Sequence, residues 1–136
     1  IKKRRGDIIM SNDKRKMIVA CIVKDGKTSK FSSTKELGEI NFKDKVLDFG
    51  DVYVMNDSFS MLDIETPYEI RTMEFKQPFP VAITFKSGKT SMVKLLSKED
   101  LIKSLNGSDN FVLLSTINGY VFICIDDIAV VDFINV

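Results

Sequence analysis

The 136-residue sequence contains no histidine and no tryptophan, and it has only two cysteines and three prolines. Without histidine, the chain lacks the side chain that proteins use most often as a general base near neutral pH and as a metal ligand. Triads that depend on histidine are excluded, and two cysteines alone cannot complete a tetrahedral zinc site. We therefore expect a non-enzymatic protein with no catalytic residue, no metal and no cofactor.

Long apolar runs and a strong charge bias are also missing. No run approaches the roughly 20 apolar residues that a membrane-spanning helix needs, so the sequence predicts no membrane partner. The net charge is +1, which favours no class of partner. Cys21 and Cys124 each lie in an apolar run, a placement that predicts buried thiols in the reducing cytoplasm.

The basic residues are concentrated at the start of the chain. Residues 1–9 hold four basic residues and one acidic residue, whereas residues 10–136 hold 16 basic and 18 acidic residues. The stretch Lys3-Arg4-Arg5-Gly6 can be encoded by a strong bacterial ribosome-binding sequence, with Met10 at a normal initiation distance. Residues 1–16 therefore have two interpretations. They are either a leader that is not native before Met10, in a low-GC bacterium or its phage, or a basic arm that contacts a partner or nucleic acid.

Two segments of the chain are similar to each other. Residues 19–29 and 81–91 are identical at seven of eleven positions, which is far more than two unrelated windows of ordinary composition share. Asp51–Val54 also resembles Asn118–Val121. The alternative is that two hairpins merely share a common turn sequence.

The similarity predicts an internal duplication. The first β-rich copy covers residues 17–75 and the second covers residues 81–136. Residues 76–80 form a linker whose two prolines interrupt strand pairing. Both copies pack into one compact domain.

Each copy favours the element order β-β-α-β-β-β. Asp25-Gly26 and Ser87-Gly88 are typical of hairpin turns, and the first dipeptide is typical of a two-residue type I′ turn. Ser33 and Glu36 have the spacing of a capping box at the start of a short helix, and an acidic variant begins the clearer helix at Ser97–Leu105. The sequence therefore predicts a mainly β fold with minor α content, built as antiparallel meander sheets or as a small barrel.

Two further expectations concern the ends of the copies. Residues 68–75 alternate enough to predict a strand. The last third of the chain is so apolar that we expect its strands to be buried on both faces, in the core or at a subunit contact.

Four lysines flank the two hairpin turns and are the candidate ligand-binding residues. If the two copies pack symmetrically, one rim carries all four ammonium groups, which can then meet the phosphates of a nucleic acid or nucleotide. The alternative is that they keep the hairpin ends solvated and guard sheet edges. These residues are Lys24, Lys27, Lys86 and Lys89.

Other motifs give weaker signals. Ser87–Thr90 is not the end of a P-loop, because Ile83 stands where that motif requires glycine and a strand is expected after Lys89. Asp126 and Asp127 suit a turn and need no catalytic role. The phenylalanines fit core packing better than a stacking platform for nucleic acid, because arginine is nearly absent around them.

These observations predict a small cytoplasmic binding or regulatory protein of bacterial or phage origin. It acts by protein–protein contact, including self-association into a homo-oligomer, because sheet edges and an apolar last third favour assembly. One alternative is a nucleic-acid-binding tandem barrel that uses the hairpin lysines, with binding that weakens steeply as salt rises. The other is a binder of a nucleotide-like ligand in a groove between the copies.

Overall fold

The computed structural model describes residues 16–67 and 77–134. Strands make up 52% and helices 13% of the described residues, so the prediction of a mainly β fold is confirmed. The first half contains β1 (Met17–Val23), β2 (Thr28–Ser33), a 3-10 turn (Leu37–Glu39), β3 (Val46–Asp48), β4 (Tyr53–Met55) and β5 (Phe59–Glu65). The second half contains β6 (Phe79–Phe85), β7 (Thr90–Leu95), α1 (Lys98–Leu105), β8 (Phe111–Thr116), β9 (Gly119–Cys124), a 3-10 turn (Ile125–Asp127) and β10 (Ile128–Phe133).

Eight of these strands form one antiparallel sheet in the order β10-β6-β7-β8-β9-β5-β1-β2. The other two, β3 and β4, pair only with each other among the described strands. Within the sheet, β7 and β8 share the single residue pair Leu95–Thr116. The sheet is not closed into a barrel, so of the two predicted architectures the open meander is the one observed.

The two halves use the same strand pairing. In the first half β1 pairs with β2 and β5, and in the second half β6 pairs with β7 and β10. Every residue pair between β1 and β2 recurs 62 positions later between β6 and β7. For example, Met17 faces Ser33 and Phe79 faces Leu95. The halves therefore agree in register as well as in element order.

The irregular features of the two halves also correspond. The register between β1 and β5 shifts at Ser60, and that between β6 and β10 shifts at Ala129. Gly26 and Gly88, in the two turns, have the same φ of 96°. A bulge is a specific local feature of a strand pair, so its recurrence at the same place favours the internal duplication. The duplication itself stays a prediction.

Each half has its own hydrophobic cluster. The first cluster contains Val19, Cys21, Leu47 and Val54, and the second contains residues at the corresponding places, Val81, Ile83, Leu114 and Val121. Strands β5 and β9 pair with each other between the two clusters. Their side chains point alternately to the two sides, as strand geometry requires.

The prediction for the apolar last third is correct for only one strand. Strand β9 is buried on both faces, with Phe122 in the first cluster and Ile123 in the second. Strand β10 is different, because it lies at the edge of the sheet and exposes Ala129, Val130 and Asp132. Strand β8 is also only partly buried.

The first hairpin turn differs from the predicted two-residue type. Gly26 N donates to Val23 O (2.8 Å), so Lys24 and Asp25 occupy the centre of the turn. Gly26 then takes a positive φ of 96° as the third loop residue. This is the three-residue hairpin loop in which a glycine follows the turn.

The predicted boundary between the halves is partly wrong. Phe79 and Pro80 were placed in the linker, but they are the first residues of β6 and face Leu95 and Lys94. Proline is acceptable near the start of a strand, where fewer ladder bonds depend on its missing N–H. The predicted strand over residues 68–75 and the leader over residues 1–9 lie outside the described residues.

The two predicted helices have different outcomes. The prediction for α1 is confirmed, because Ser97 Oγ accepts from Asp100 N (3.2 Å) as the N-terminal cap. In the first half the helix is a single 3-10 turn, and the Ser33 box is wrong. Ser33 ends β2, while Glu36 N donates to Glu39 Oε1 (2.9 Å). No helix in the described ranges is long and apolar enough to cross a membrane.

Candidate functional site

The structure brings the two lysine-bearing turns into contact. A Cβ atom placed on Gly26 lies 3.2 Å from Ser87 Oγ and 3.5 Å from Lys89 Cβ. The turn of β1–β2 therefore packs against the turn of β6–β7 at one end of the molecule. We call this end the lysine rim, and it carries Lys24, Lys27, Lys86 and Lys89.

Lys24 is not available to a ligand in this arrangement. Its Nζ atom donates to Asp127 Oδ2 at 2.6 Å and lies 4.0 Å from Cys124 Sγ. Burial by itself lowers the pKa of Lys24, but the hydrogen bond from its ammonium group to Asp127 and the nearby negative charges together outweigh this effect. The pKa is therefore above the ordinary value of 10.5, and the ammonium group serves an internal ion pair.

The other three rim lysines are exposed, and one of them has an acidic neighbour. Lys27 Nζ lies 3.9 Å from Asp25 Oδ2, with both side chains largely in solvent. Within the described part of the chain, Lys86 and Lys89 form no ion pair. Since Asp25 and Asp127 offset two of the four charges, the rim is only weakly cationic. A phosphate-binding surface depends on several uncompensated cations.

The sequence did not predict the hydrogen-bonded group that Asp127 forms with Ser60 and Lys24. Ser60, which is buried in β5, donates through its Oγ atom to Asp127 Oδ2 at 2.9 Å. One carboxylate oxygen thus accepts from Ser60 and Lys24 of the first half, while Asp127 belongs to the second half. Burial raises the pKa of Asp127, but its hydrogen bonds and the charge of Lys24 together prevail and lower it below the ordinary value. The separations in sequence, 103 and 67 residues, hid this contact.

The cysteines are buried free thiols, as predicted. Burial raises the pKa of Cys21 above its ordinary value. Burial also raises the pKa of Cys124, and the nearby Asp127 carboxylate adds to the effect. A thiol with a raised pKa holds little thiolate at neutral pH, so neither group is suited to nucleophilic attack.

An open cleft of about 340 Å³ lies between the halves. Asp63 of β5 contributes to it from the first half, and the second half contributes Met92, Lys94, Ile117 and Asn118. Burial raises the pKa of Asp63, the Glu65 charge raises it further, and Lys30 offsets part of the rise. One lysine beside one carboxylate makes a poor site for a nucleotide phosphate.

The described residues contain no group of three or more metal-binding side chains. Their aromatic rings are mostly packed inside the first cluster, where Phe111 stacks on Phe122 at a centroid distance of 5.2 Å. The aromatic side chains therefore serve packing more than they line a surface.

Two sheet edges are the most distinctive exposed features. Strand β4 pairs only with β3, and strand β10 pairs only with β6, among the strands that the structure describes. On β4, Tyr53 is 67% exposed and Met55 is 38% exposed, and on β10 Val130 is 55% exposed. We call β4 and β10 the open edges.

Open edges of this kind are a recognisable binding feature. Among the described residues, the outer side of each has no strand partner and carries large apolar side chains, which edge strands usually avoid. Comparison of the chain with protein-family models, with curated proteins and with solved structures found no match.

Proposed function

We propose that the chain is a non-enzymatic binding protein that acts by contact with protein chains through its open edges. The observation that carries this proposal is the exposure of Tyr53, Met55 and Val130 on strands whose outer sides are unpaired among the described residues. A regulatory role in the cytoplasm of a bacterium or of a phage-infected cell belongs to the proposal and rests on the sequence alone.

Strand pairing explains how such edges bind. The backbone N–H and C=O groups supply affinity when an added strand extends the sheet, and alternate side chains supply specificity. On β4, Tyr53 and Met55 are two residues apart and project to the same side, while Val54 between them is buried in the first cluster. An incoming strand would therefore find both main-chain partners and an apolar pair to cover.

The proposal is tested by capturing binding proteins on immobilised chains. Wild type, Tyr53→Lys and Val130→Lys are incubated with extract of the source cells, and captured chains are identified by mass spectrometry. Met92→Lys is the matched control, because Met92 is 59% exposed but lies on β7 and not on either open edge. We expect an edge substitution to remove a captured protein that Met92→Lys retains. Capture that neither edge substitution affects would contradict the proposal.

Nucleic-acid binding is the second candidate function, and the contact between the two hairpin turns favours it. The internal ion pair of Lys24 and the acid beside Lys27 place it behind protein binding. The test is filter binding of single- and double-stranded DNA and RNA at two salt concentrations. Wild type is compared with a variant in which Lys27, Lys86 and Lys89 are glutamine. Salt-sensitive binding that this variant loses would support the candidate, and no binding at low salt would exclude it.

A further inference from the structure

We propose that the protein bound by the open edges is a second copy of this chain, with β4 of one copy pairing antiparallel with β10 of the next. This inference rests on the proposed function and names its partner. It follows from a comparison of the open edges with the junction that already joins the two halves inside one chain.

The internal junction is formed by β5 of the first half and β9 of the second. The two strands pair antiparallel, with Tyr120 facing Ile64, Val121 facing Asp63 and Phe122 facing Leu62. The strand that corresponds to β9 in the first half is β4, because Asp48 faces Tyr53 as Ser115 faces Tyr120. The strand that corresponds to β5 in the second half is β10, because both pair with the first strand of their half in the same register. The chain thus forms the β5–β9 junction, whereas the counterpart strands β10 and β4 have no partner on their outer sides among the described strands.

The side chains that the junction buries have exposed counterparts on the open edges. Met61 of β5 is 1% exposed and lies in the second cluster, whereas its counterpart on β10, Val130, is 55% exposed. Phe122 of β9 is 4% exposed and lies in the first cluster, whereas its counterpart on β4, Met55, is 38% exposed. In the junction each half therefore inserts an apolar side chain into the cluster of the other. The open edges carry apolar residues where such insertion would occur.

An ion pair crosses the junction, and the open edges carry a lysine and an acid close to the corresponding places. Across the junction, Lys24 Nζ meets Asp127 Oδ2 of the loop between β9 and β10. The counterpart of Lys24 is Lys86, and the counterpart of Asp127 is Ser58. The acid of that loop, between β4 and β5, is the neighbouring Asp57, whose charge also acts on Lys24 of its own half. Neither Lys86 nor Asp57 forms an ion pair within the described part of the chain. A pairing of β4 with β10 between copies would bring this lysine and this acid to the same end of the interface.

The expected register follows from the internal one. Tyr53 would face Phe133, Val54 would face Asp132 and Met55 would face Val131 of the neighbouring copy. The ladder would begin at Tyr53, because Val52 stands where the junction has Gly119. A Cβ on Gly119 lies 2.2 Å from the carbonyl oxygen of Ile64, so only glycine permits that last close approach.

The two open edges are different surfaces, so the contact is head-to-tail. Such contacts close into rings or continue into filaments, whereas a symmetric dimer would join two identical edges. This difference makes the proposal testable with single-edge variants. Tyr53→Lys keeps only the β10 edge, and Val130→Lys keeps only the β4 edge.

The experiment measures mass by sedimentation velocity over a range of concentrations. We expect wild type and the control Met92→Lys to form species larger than the monomer, and each edge variant alone to be monomeric. We expect an equimolar mixture of the two edge variants to form a one-to-one dimer and nothing larger. Circular dichroism checks that each variant is folded, and Met55→Lys replaces Tyr53→Lys if the latter is not.

A charge exchange provides an independent readout. Lys86→Asp and Asp57→Lys should each weaken assembly, and the double variant should recover it. The proposal is overturned if wild type is monomeric at all concentrations, if one edge variant alone assembles, or if the mixture stays monomeric while wild type assembles. A monomeric wild type that still captures a different protein through its edges would overturn the second copy as partner and leave the proposed function standing.

Discussion

The Asp127 carboxylate shows how a single side chain joins the two halves of this molecule. It accepts hydrogen bonds from Lys24 at 2.6 Å and from the buried hydroxyl of Ser60 at 2.9 Å. The Lys24 side chain is 43% exposed, so solvent screens a good part of the ion pair. The greater cost of losing the carboxylate comes from Ser60, because its buried hydroxyl would be left without a hydrogen-bond acceptor.

We expect Asp127→Ala to lower the free energy of unfolding by about 1–3 kcal/mol, the range for losing hydrogen bonds to a charged group. Asp126→Ala is the control, because Asp126 is the exposed neighbour in the same 3-10 turn and should cost less than about 0.5 kcal/mol. Urea unfolding followed by circular dichroism measures both. Equal losses in the two variants would show that the carboxylate has no special role.

The same contact predicts a pH dependence. The pKa of Asp127 is lowered in the folded chain, so its contribution is present above the ordinary value of 3.8 and disappears as pH falls through the folded value. The pKa of Lys24 is raised, so its contribution is lost only as pH rises above 10.5. The difference in stability between wild type and Asp127→Ala should therefore shrink at both extremes and stay constant between them.

Residue-level prediction from the sequence succeeded where the signal was local. The cysteines lie in apolar runs, and they are buried as predicted. Pseudo-symmetry predicted that the hairpin lysines share one rim, and the two turns do meet, but ligand binding by these lysines stays a prediction. The pairing of Lys24 with Asp127 was not foreseeable, because it depends on how β1 and the end of β9 approach each other in three dimensions.

Among the elements, β5 and β9 depend on one glycine for their close approach. Gly119 has a φ of 156°, and a Cβ there lies 2.2 Å from the oxygen of Ile64 and 2.9 Å from the nitrogen of Thr66. Both of these are backbone atoms that cannot move without shifting β5. Since β5 and β9 separate the two clusters, a shift here disturbs the packing of both.

We expect Gly119→Ala to destabilise the protein by at least about 2 kcal/mol more than Gly88→Ala, because backbone overlap adds to the strain of a positive φ. Gly88 is the matched control, with a φ of 96° and no atom within 4 Å of its Cβ position. Thermal and urea unfolding of both variants give the comparison. Similar stabilities for the two variants would contradict the role of the close approach.

The boundaries of elements were predictable to the extent that turns and caps marked them. Ser97 and Asp100 mark the start of α1 as predicted, since their hydrogen bond is local. The first-half helix shortened to Leu37–Glu39 because Ser33 is held in β2 by its pairing with Met17. The sequence contains a capping pattern that begins at Ser33, but the pairing of Ser33 with Met17 keeps this residue in β2.

For the whole molecule, the shared registers explain why one chain contains two similar clusters and one extended sheet. The sequence predicted two similar halves from residues 19–29 and 81–91, and the pairing of β1 and β6 follows the same pattern. The order of the strands across the junction was not predictable. The pairing of β9 with β5 joins strands of different halves, and only the fold shows it.

This arrangement predicts that the two halves unfold together. Leu47 lies in the first cluster and Leu114 at the corresponding place in the second. Either leucine changed to alanine should cost about 2–5 kcal/mol, the usual cost of truncating a buried leucine. Because β5 and β9 contribute to both clusters, each substitution should lower the unfolding midpoint of both halves equally. Amide hydrogen exchange in β1 and β6 along a urea series, with Val130→Lys as background to prevent self-association, measures the two midpoints. If Leu47→Ala lowers only the midpoint of β1, the halves are independent units and the β5–β9 junction does not couple them.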